Sequence, residues 1–230
     1  MILFCLPYAG GSEGIYFNWR EYLDDSIKLL PIPLKGRGKR FYEDFYENWN
    51  EAVEDIFNII KEEANEDEYA VFGHSMGSLL AYELYYKIKS SNWHEPMHIF
   101  FSGHGAPNII KNKKPIHILP DREFMDKVIE LGGTPKEVYE NKELLDIFIP
   151  VLRNDFKLIS NFTYINREER IKCNVSILNG KEDSITENEI FGWKTLINDE
   201  VNIYNFNGDH FFINDNIENI VKIINDTLLK

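Results

Sequence analysis

One pentapeptide has the composition expected around a nucleophilic serine. Residues 73–77 read Gly-His-Ser-Met-Gly and match the pattern G-x-S-x-G. In a nucleophile elbow, a sharp strand-to-helix turn exposes the serine, and glycines flank it because side chains there would collide with the turn. The pentapeptide lies between an apolar strand-like run, Tyr69–Phe72, and a helix-like run, Ser78–Tyr82. We therefore predict that Ser75 is a catalytic nucleophile rather than a structural serine in a tight turn.

A serine hydroxyl is a poor nucleophile at neutral pH and needs a histidine to accept its proton. Where this elbow occurs, the order along the chain is serine, then an acid, then histidine. His210 is C-terminal to the other five histidines and lies in the loop 207–212, Asn-Gly-Asp-His-Phe-Phe, after the last strand-like run. We predict that His210 is the general base.

The acid that orients this histidine is expected in the loop after the preceding strand-like run. Residues 177–184 read Ile-Leu-Asn-Gly-Lys-Glu-Asp-Ser and offer two carboxylates. We select Asp183, because Gly-x-x-Asp past a strand end is the common arrangement, and keep Glu182 as the alternative. For either residue, the competing interpretation is a solvated carboxylate in a turn.

An oxyanion hole needs two backbone N–H groups aimed at the developing negative charge. The residue after the nucleophile, Met76, is predicted to supply one of them. The turn after the first strand-like run, residues 6–12, is predicted to supply the other through Tyr8, with Ala9 as its competitor. The glycines of this turn would also suit a phosphate, but the run lacks the G-x-G-x-x-G spacing of a dinucleotide site.

Short apolar runs alternate with helical patterns along much of the chain, which indicates βαβ units and a mostly parallel sheet covered on both faces. Together with the elbow, this pattern predicts an α/β-hydrolase fold in a single domain, residues 1–230. The predicted strands are Ile2–Leu6, Ile27–Ile32, Tyr69–Phe72, His98–Ser102, Asn174–Leu178 and Val201–Phe206. The predicted helices are Gly14–Leu23, Trp49–Glu63, Met76–Ile88 and Ile217–Leu228.

A helical insertion is predicted between the fourth and fifth strands, at about residues 108–170. Asp121 is placed as the cap of a helix that stops at Gly132-Gly133, and residues 134–137, Thr-Pro-Lys-Glu, suit a capping box. Pro150 is expected to bend or split a further helix. The insertion is either an extra packing layer or a lid over a pocket. The apolar stripe of that further helix comprises Leu144, Leu145, Phe148, Val151, Leu152 and Phe156.

The composition argues against several partners. A formal net charge of −13 would repel nucleic acid and anionic membrane surfaces. No run approaches the roughly 20 apolar residues that span a bilayer, and the apolar N-terminus lacks the basic leader of a signal peptide. Cys5 and Cys173 both lie in strand-like runs without the neighbours of a zinc site, so we expect neither a disulfide nor a metal. We expect a cytoplasmic protein.

The motifs together resemble those of the type II thioesterases, the stand-alone editing enzymes of nonribosomal peptide and polyketide synthesis. The likeness extends over nearly the whole chain. Two departures are Lys35, where proline usually precedes Gly36, and Asn154, where alanine usually precedes Asp155. Beside the elbow, the segments that carry the resemblance are 7–11 (Pro-Tyr-Ala-Gly-Gly), 36–40 (Gly-Arg-Gly-Lys-Arg), 102–107 (Ser-Gly-His-Gly-Ala-Pro), 131–135 (Leu-Gly-Gly-Thr-Pro), 150–156 (Pro-Val-Leu-Arg-Asn-Asp-Phe) and 208–212 (Gly-Asp-His-Phe-Phe).

The resemblance implies hydrolysis of an acyl or aminoacyl thioester held on the phosphopantetheine arm of a carrier protein. It implies an acyl-enzyme route without metal or organic cofactor, a mobile lid at 108–170 and a monomer that meets its carrier transiently. Carrier proteins are usually acidic, so docking would need a local basic patch. The candidates are Arg37, Lys39 and Arg40, or Lys111, Lys113 and Lys114.

Two other functions compete with this one. The first is an esterase or lipase acting on free oxygen esters. The second is a non-catalytic α/β-hydrolase relative that serves as a binding module; such relatives commonly lose a member of the triad, and here all three residue types are present.

Overall fold

The computed structural model describes residues 1–109, 114–132 and 141–230. In this part of the chain six strands form one sheet with the order β2-β1-β3-β4-β5-β6, and every neighbouring pair is parallel. The α/β-hydrolase fold predicted from the alternating pattern is confirmed. The strands are β1 (Ile2–Leu6), β2 (Lys28–Pro31), β3 (Tyr69–His74), β4 (His98–Ser102), β5 (Asn174–Gly180) and β6 (Val201–Phe206).

Both faces of the sheet are covered, which explains why β1 and β3 are buried along their whole length. The alternation along β1 divides its side chains between two cores: Phe4 and Leu6 face one, and Leu3 and Cys5 face the other. β3 and β5 each extend two residues beyond their predicted ends. Those extra residues carry the chain toward the elbow and toward the acid loop, so the predicted site residues meet at the carboxyl edge of the sheet.

The helices are α1 (Trp49–Ala64), α2 (Met76–Ser90), α3 (Asp121–Glu130), α4 (Lys142–Asn161), α5 (Glu187–Gly192), α6 (Phe212–Asp215) and α7 (Ile217–Leu228). Helices α1 and α2 cover one face, and α7 covers the other.

The connection after β1 is a 3-10 helix, Glu13–Glu21, rather than the predicted α-helix. Its buried residues are Glu13, Tyr16 and Trp19, a spacing of three that matches the three residues per turn of a 3-10 helix. The side chain of Ser12 caps the helix by accepting a hydrogen bond from the Gly14 N–H at 3.3 Å.

Within the insertion, two details differ from prediction. Asp121 is the first residue of α3 and does not cap it; its carboxylate instead lies 2.5 Å from an Nη atom of Arg153 on α4. Pro150 does not split α4, which is continuous from Lys142 to Asn161. The proposed capping box at 134–137 lies outside the described residues.

The apolar stripe of α4 packs largely against α3. Phe124, Met125 and Val128 of α3 form a small core with Leu152, and other residues of the stripe are partly buried against it. This core is separate from the two cores on the sheet. The two insertion helices therefore have apolar contacts of their own above the sheet.

In the described part of the chain, no helix is long and apolar enough to cross a membrane. Cys5 and Cys173 are both free thiols.

A buried histidine on β4, His98, makes the stability of the fold depend on pH. His98 is 5% exposed, its Nε2 lies 2.9 Å from the Oγ atom of Ser176, and burial lowers its pKa from 6.5 to about 4. The unfolded chain therefore binds a proton below pH 6.5 that the folded chain does not bind until about pH 4, and stability falls as the pH falls through this window.

We predict that His98→Gln removes this dependence, because glutamine can still bond Ser176 and does not titrate. Between pH 7 and pH 5 the free energy of unfolding of the wild type should fall by about 2 kcal/mol more than that of the variant. Urea unfolding of both proteins at the two pH values measures the difference. Equal losses in the two proteins would contradict the assignment.

Candidate active site

The backbone at Ser75 has the strained conformation of a nucleophile elbow. Ser75 has a φ of +55°, which is unfavourable for a residue with a side chain. A Cβ at Gly73 would collide with the Gly77 carbonyl, and a Cβ at Gly77 would collide with the Leu6 carbonyl. Both flanking positions therefore require glycine. The Ser75 N–H donates to the Ser102 carbonyl at 2.8 Å, which fixes the turn to the end of β4.

Ser75, His210 and Asp183 form one hydrogen-bonded chain at the carboxyl edge of the sheet. The Oγ atom of Ser75 lies 2.9 Å from Nε2 of His210. Nδ1 of His210 lies 2.7 Å from Oδ2 of Asp183. Because the carboxylate can only accept, the proton of His210 is on Nδ1, and its unprotonated Nε2 faces the serine hydroxyl. This arrangement allows the imidazole to take the hydroxyl proton.

The acid loop separates the two carboxylates that the sequence left as alternatives. The Asp183 side chain is buried, 3% exposed, and burial acts to raise its pKa, but the hydrogen bond from His210 and the N–H groups of Ser184 and Ile185 lower the pKa overall. Its carboxylate is therefore ionised at neutral pH. Glu182 instead accepts a hydrogen bond from the Gly208 N–H and joins the acid loop to the histidine loop.

His74 holds the histidine loop in place from the protein interior, a role that was not predicted from the sequence. It is fully buried, and its Nε2 lies 2.9 Å from the carbonyl oxygen of His210. Because a carbonyl only accepts, His74 carries its proton on Nε2, and its Nδ1 accepts from the Ser102 hydroxyl at 2.8 Å. Burial lowers the pKa of His74 well below its usual value, so the ring is neutral. It positions the backbone of His210.

The turn after β1 lies against the elbow. The Gly11 N–H donates to the Tyr8 carbonyl at 2.9 Å and closes a tight turn in which Gly10 has a φ of +82°. The carbonyls of Leu6 and Pro7 approach the backbone of Gly77 so closely that a Cβ there would not fit. The backbones that carry the two predicted oxyanion donors, Tyr8 and Met76, are therefore adjacent.

Two of the three side chains in the first predicted docking patch contradict that prediction, whereas the third, Lys39, is exposed. Arg37 is buried and forms an ion pair with Asp155 of α4. Arg40 pairs with Asp55 at 2.6 Å and with Glu43 at 2.6 Å, so its charge is also neutralised locally. These two arginines bind the β2 loop to its neighbours. They do not form a free basic surface.

The second patch lies mostly outside the described residues, which include Lys114 but not Lys111 or Lys113. Lys114 is exposed. In the described residues, no group of three or more His, Cys, Asp or Glu side chains is placed to hold a metal ion.

An elbow serine, a buried carboxylate and an imidazole, in this order along the chain and on a parallel sheet, define a serine hydrolase with the α/β-hydrolase fold. The chain belongs to the thioesterase family, since the thioesterase domain matches residues 1–228.

Relatives of this chain come from peptide and polyketide biosynthesis. The gramicidin S biosynthesis protein GrsT of Aneurinibacillus migulanus is 34% identical over 212 residues, which cover 92% of this chain and 82% of GrsT. The crystal structure of ClbQ from the colibactin NRPS/PKS pathway superposes with a TM-score of 0.94 at 33% identity and covers 99% of this chain and 96% of ClbQ. The type II thioesterase BorB from the borrelidin biosynthetic cluster gives a TM-score of 0.88 at 27% identity, with 98% and 91% covered. The family resemblance read from the motifs is confirmed.

We predict that His74→Leu lowers kcat roughly 10- to 100-fold at nearly unchanged KM, because the His210 carbonyl loses its donor and the imidazole shifts. His74→Gln, whose amide can still donate to that carbonyl, should keep most of the activity. Steady-state kinetics on a small thioester, normalised to correctly folded protein by thermal unfolding, measures both. Equal kcat losses in the leucine and glutamine variants would show that hydrogen bonding to His210 is not the reason.

Proposed function

We propose that this thioesterase hydrolyses acyl or aminoacyl thioesters from the phosphopantetheine arm of carrier proteins in nonribosomal peptide or polyketide synthesis. The observation that carries the proposal is the hydrogen-bonded chain Ser75–His210–Asp183, with distances of 2.9 and 2.7 Å. It occurs in a member of a family whose relatives, by their names, serve such pathways.

In the acylation step, Ser75 Oγ attacks the thioester carbonyl while Nε2 of His210 takes the hydroxyl proton. Asp183 stabilises the resulting imidazolium through the bond to Nδ1. The N–H groups of Met76 and Tyr8 stabilise the oxyanion, and a single such donor contributes about 3–4 kcal/mol. The C–S bond then breaks, and the leaving pantetheine sulfur receives the proton from His210. The acyl group remains as an ester on Ser75.

In the deacylation step, His210 takes a proton from water as the water oxygen attacks the ester carbonyl. The tetrahedral intermediate collapses, Ser75 Oγ recovers the proton from His210, and the free acid leaves. Every proton transfer uses the same imidazole nitrogen, so the reaction needs no cofactor.

The proposal includes a transient partner, an acyl or peptidyl carrier protein, and a monomeric enzyme located in the cytoplasm with the synthetases. Because both the chain, with its net charge of −13, and its carrier are acidic, a local basic patch must offset the general repulsion. The segment with Lys111, Lys113 and Lys114 is proposed for this role, and it lies near the start of the predicted insertion.

We predict that Ser75→Ala lowers hydrolysis of an acyl-loaded carrier protein by roughly 10⁴-fold or more, because the acyl-enzyme cannot form. A fluorophosphonate should label Ser75 in the wild type and leave the alanine variant unlabelled. The wild type should also release carrier-bound acyl groups faster than it cleaves simple oxygen esters of the same acids. Undiminished turnover by the alanine variant would refute the mechanism, and faster ester cleavage would identify an esterase.

We predict that reversing all three lysines of the proposed patch (Lys111→Glu, Lys113→Glu and Lys114→Glu) raises KM for carrier-bound substrate about tenfold, since three rim charges contribute roughly 0.5 kcal/mol each. KM for an N-acetylcysteamine thioester, which lacks the carrier, should stay unchanged. A matched control reverses three exposed lysines elsewhere in the chain, Lys61, Lys194 and Lys222, with the same change in net charge. If the control raises KM equally, the effect is general repulsion and the patch is not the docking site.

A further inference from the structure

A buried ion pair lies directly beneath the turn that follows β1. The side chains of Arg37 and Asp155 are 5% and 1% exposed, and the guanidinium binds the carboxylate with both of its Nη atoms, one of them at 2.6 Å from Oδ1. Withdrawing two charges from water is costly, and apolar residues of similar volume often stabilise a protein as well or better. Stability alone therefore does not explain this pair.

The pair is hydrogen-bonded to the backbone of the turn. Oδ2 of Asp155 accepts the Gly10 N–H at 2.7 Å, and an Nη atom of Arg37 lies 3.4 Å from the Gly11 carbonyl oxygen. Leu152 packs against Gly10 so closely that a Cβ on Gly10 would lie 2.5 Å from the Cδ2 atom of Leu152. Asp155 of α4, 145 positions away in sequence from Gly10, therefore holds the turn in place.

The bond to Gly10 fixes the orientation of the central peptide of the turn. In the four-residue turn from Tyr8 to Gly11, Gly10 occupies the third position, and its positive φ is what a type II turn requires there. A type I turn would point the same N–H the other way. By accepting this N–H, Asp155 selects one of the two turn conformations and ties the turn that begins at Tyr8 to α4.

We propose that Asp155, oriented by Arg37, is a positioning residue that holds in place the turn from which the Tyr8 N–H faces the oxyanion. This role rests on the proposed function, in which Tyr8 supplies one of the two donors. Asp155 does not touch substrate; it acts through Gly10. A carboxylate is the strongest acceptor available for a single N–H, and the two-point bond to the planar guanidinium prevents its rotation.

The test uses the full chain with an N-acetylcysteamine thioester, so that carrier docking does not contribute. Active sites are counted by the end point of fluorophosphonate labelling, and rates are expressed per labelled site. Asp155→Asn should lower kcat about 10- to 100-fold, less than the loss of a whole donor, with KM changed less than threefold. Affinity for a trifluoromethyl ketone, which forms the oxyanion, should fall by the same factor as kcat/KM.

A matched control breaks another arginine–carboxylate pair that is away from the turn. Glu83 binds Arg167 through both carboxylate oxygens, and their side chains are 13% and 19% exposed. Glu83→Gln should lower the unfolding temperature but leave kcat per labelled site within threefold of the wild type. An equal loss of kcat in this control would show that any weakened ion pair has the effect, and would overturn the proposal.

Two double variants separate positioning from folding. Arg37→Met with Asp155→Leu should recover the unfolding temperature, because an apolar pair replaces the charges, yet it should remain slow because Gly10 has lost its acceptor. Arg37→Met with Asp155→Asn keeps a carbonyl acceptor for Gly10, although a weaker one than the carboxylate, and should be at least about tenfold faster per site than the leucine double variant. Full activity in the leucine double variant would overturn the proposal.

These outcomes are distinct from failure of the proposed function. If Ser75→Ala abolishes turnover while Asp155→Asn leaves kcat per site unchanged, the positioning role is wrong and the proposed hydrolase mechanism stands. If Ser75→Ala retains turnover, the proposed mechanism and the positioning role both fail.

Discussion

The structure depends on close backbone contact at the carboxyl edge of the sheet, where neighbouring chain segments leave no room for a Cβ atom at Gly73 or Gly77. Gly73 leaves room for the Gly77 carbonyl, and Gly77 leaves room for the carbonyls of Leu6 and Pro7. These contacts place the strained serine turn beside the turn after β1. The predicted nucleophile and the two predicted oxyanion donors thus come from backbones in direct contact.

The histidine loop is fixed by a different means, through polar side chains that reach across the strand ends. His74 bonds the His210 carbonyl, Glu182 bonds the Gly208 N–H, and Asp183 bonds the imidazole itself. Tyr8 adds an apolar contact, with its ring 5.1 Å from that of Phe211. A loop outside regular secondary structure therefore has its backbone and its functional side chain restrained from three directions, which reduces the entropy lost when the transition state forms.

The residues that the sequence predicted are those whose roles follow from chain order and local pattern. Ser75 was marked by its flanking glycines and by the strand–helix junction, and Asp183 and His210 by their loops. His74 was missed although a signal existed. Alternation along β3 places it on the same face as Ala70 and Phe72, which pack against the last helix and hence toward the His210 loop.

Arg37 was misjudged for a different reason. A charged residue in a glycine-rich loop has the local pattern of solvent-exposed surface, and only its partner Asp155, 118 residues away, explains its burial. No periodicity connects two such positions. Contacts of this range depend on how the insertion folds back onto the sheet, so they can be read from the structure but not from either segment alone.

The two departures from the family pattern both contact one residue, Tyr46. Lys35 lies with its Nζ 5.3 Å from the ring centre of Tyr46, and Asn154 donates from Nδ2 to the Tyr46 carbonyl at 2.9 Å. The Tyr46 hydroxyl in turn donates to Asp55 on α1 at 2.5 Å. A proline and an alanine at positions 35 and 154 would make no such polar contacts. In this chain, the contacts through Tyr46 link the β2 loop and α4 to α1.

The two halves of the long insertion helix α4 differ in how deeply they are buried. C-terminal to Pro150, α4 buries Val151, Leu152 and Asp155, whereas the preceding turns from Lys142 are exposed or only partly buried. Displacing the C-terminal half would separate the buried Arg37–Asp155 pair and break the hydrogen bond from the Gly10 N–H to Asp155. The N-terminal half of α4 has fewer such buried contacts to break. The half of α4 that contacts the turn after β1 is therefore the more firmly held of the two, because Asp155 and Leu152 both contact Gly10.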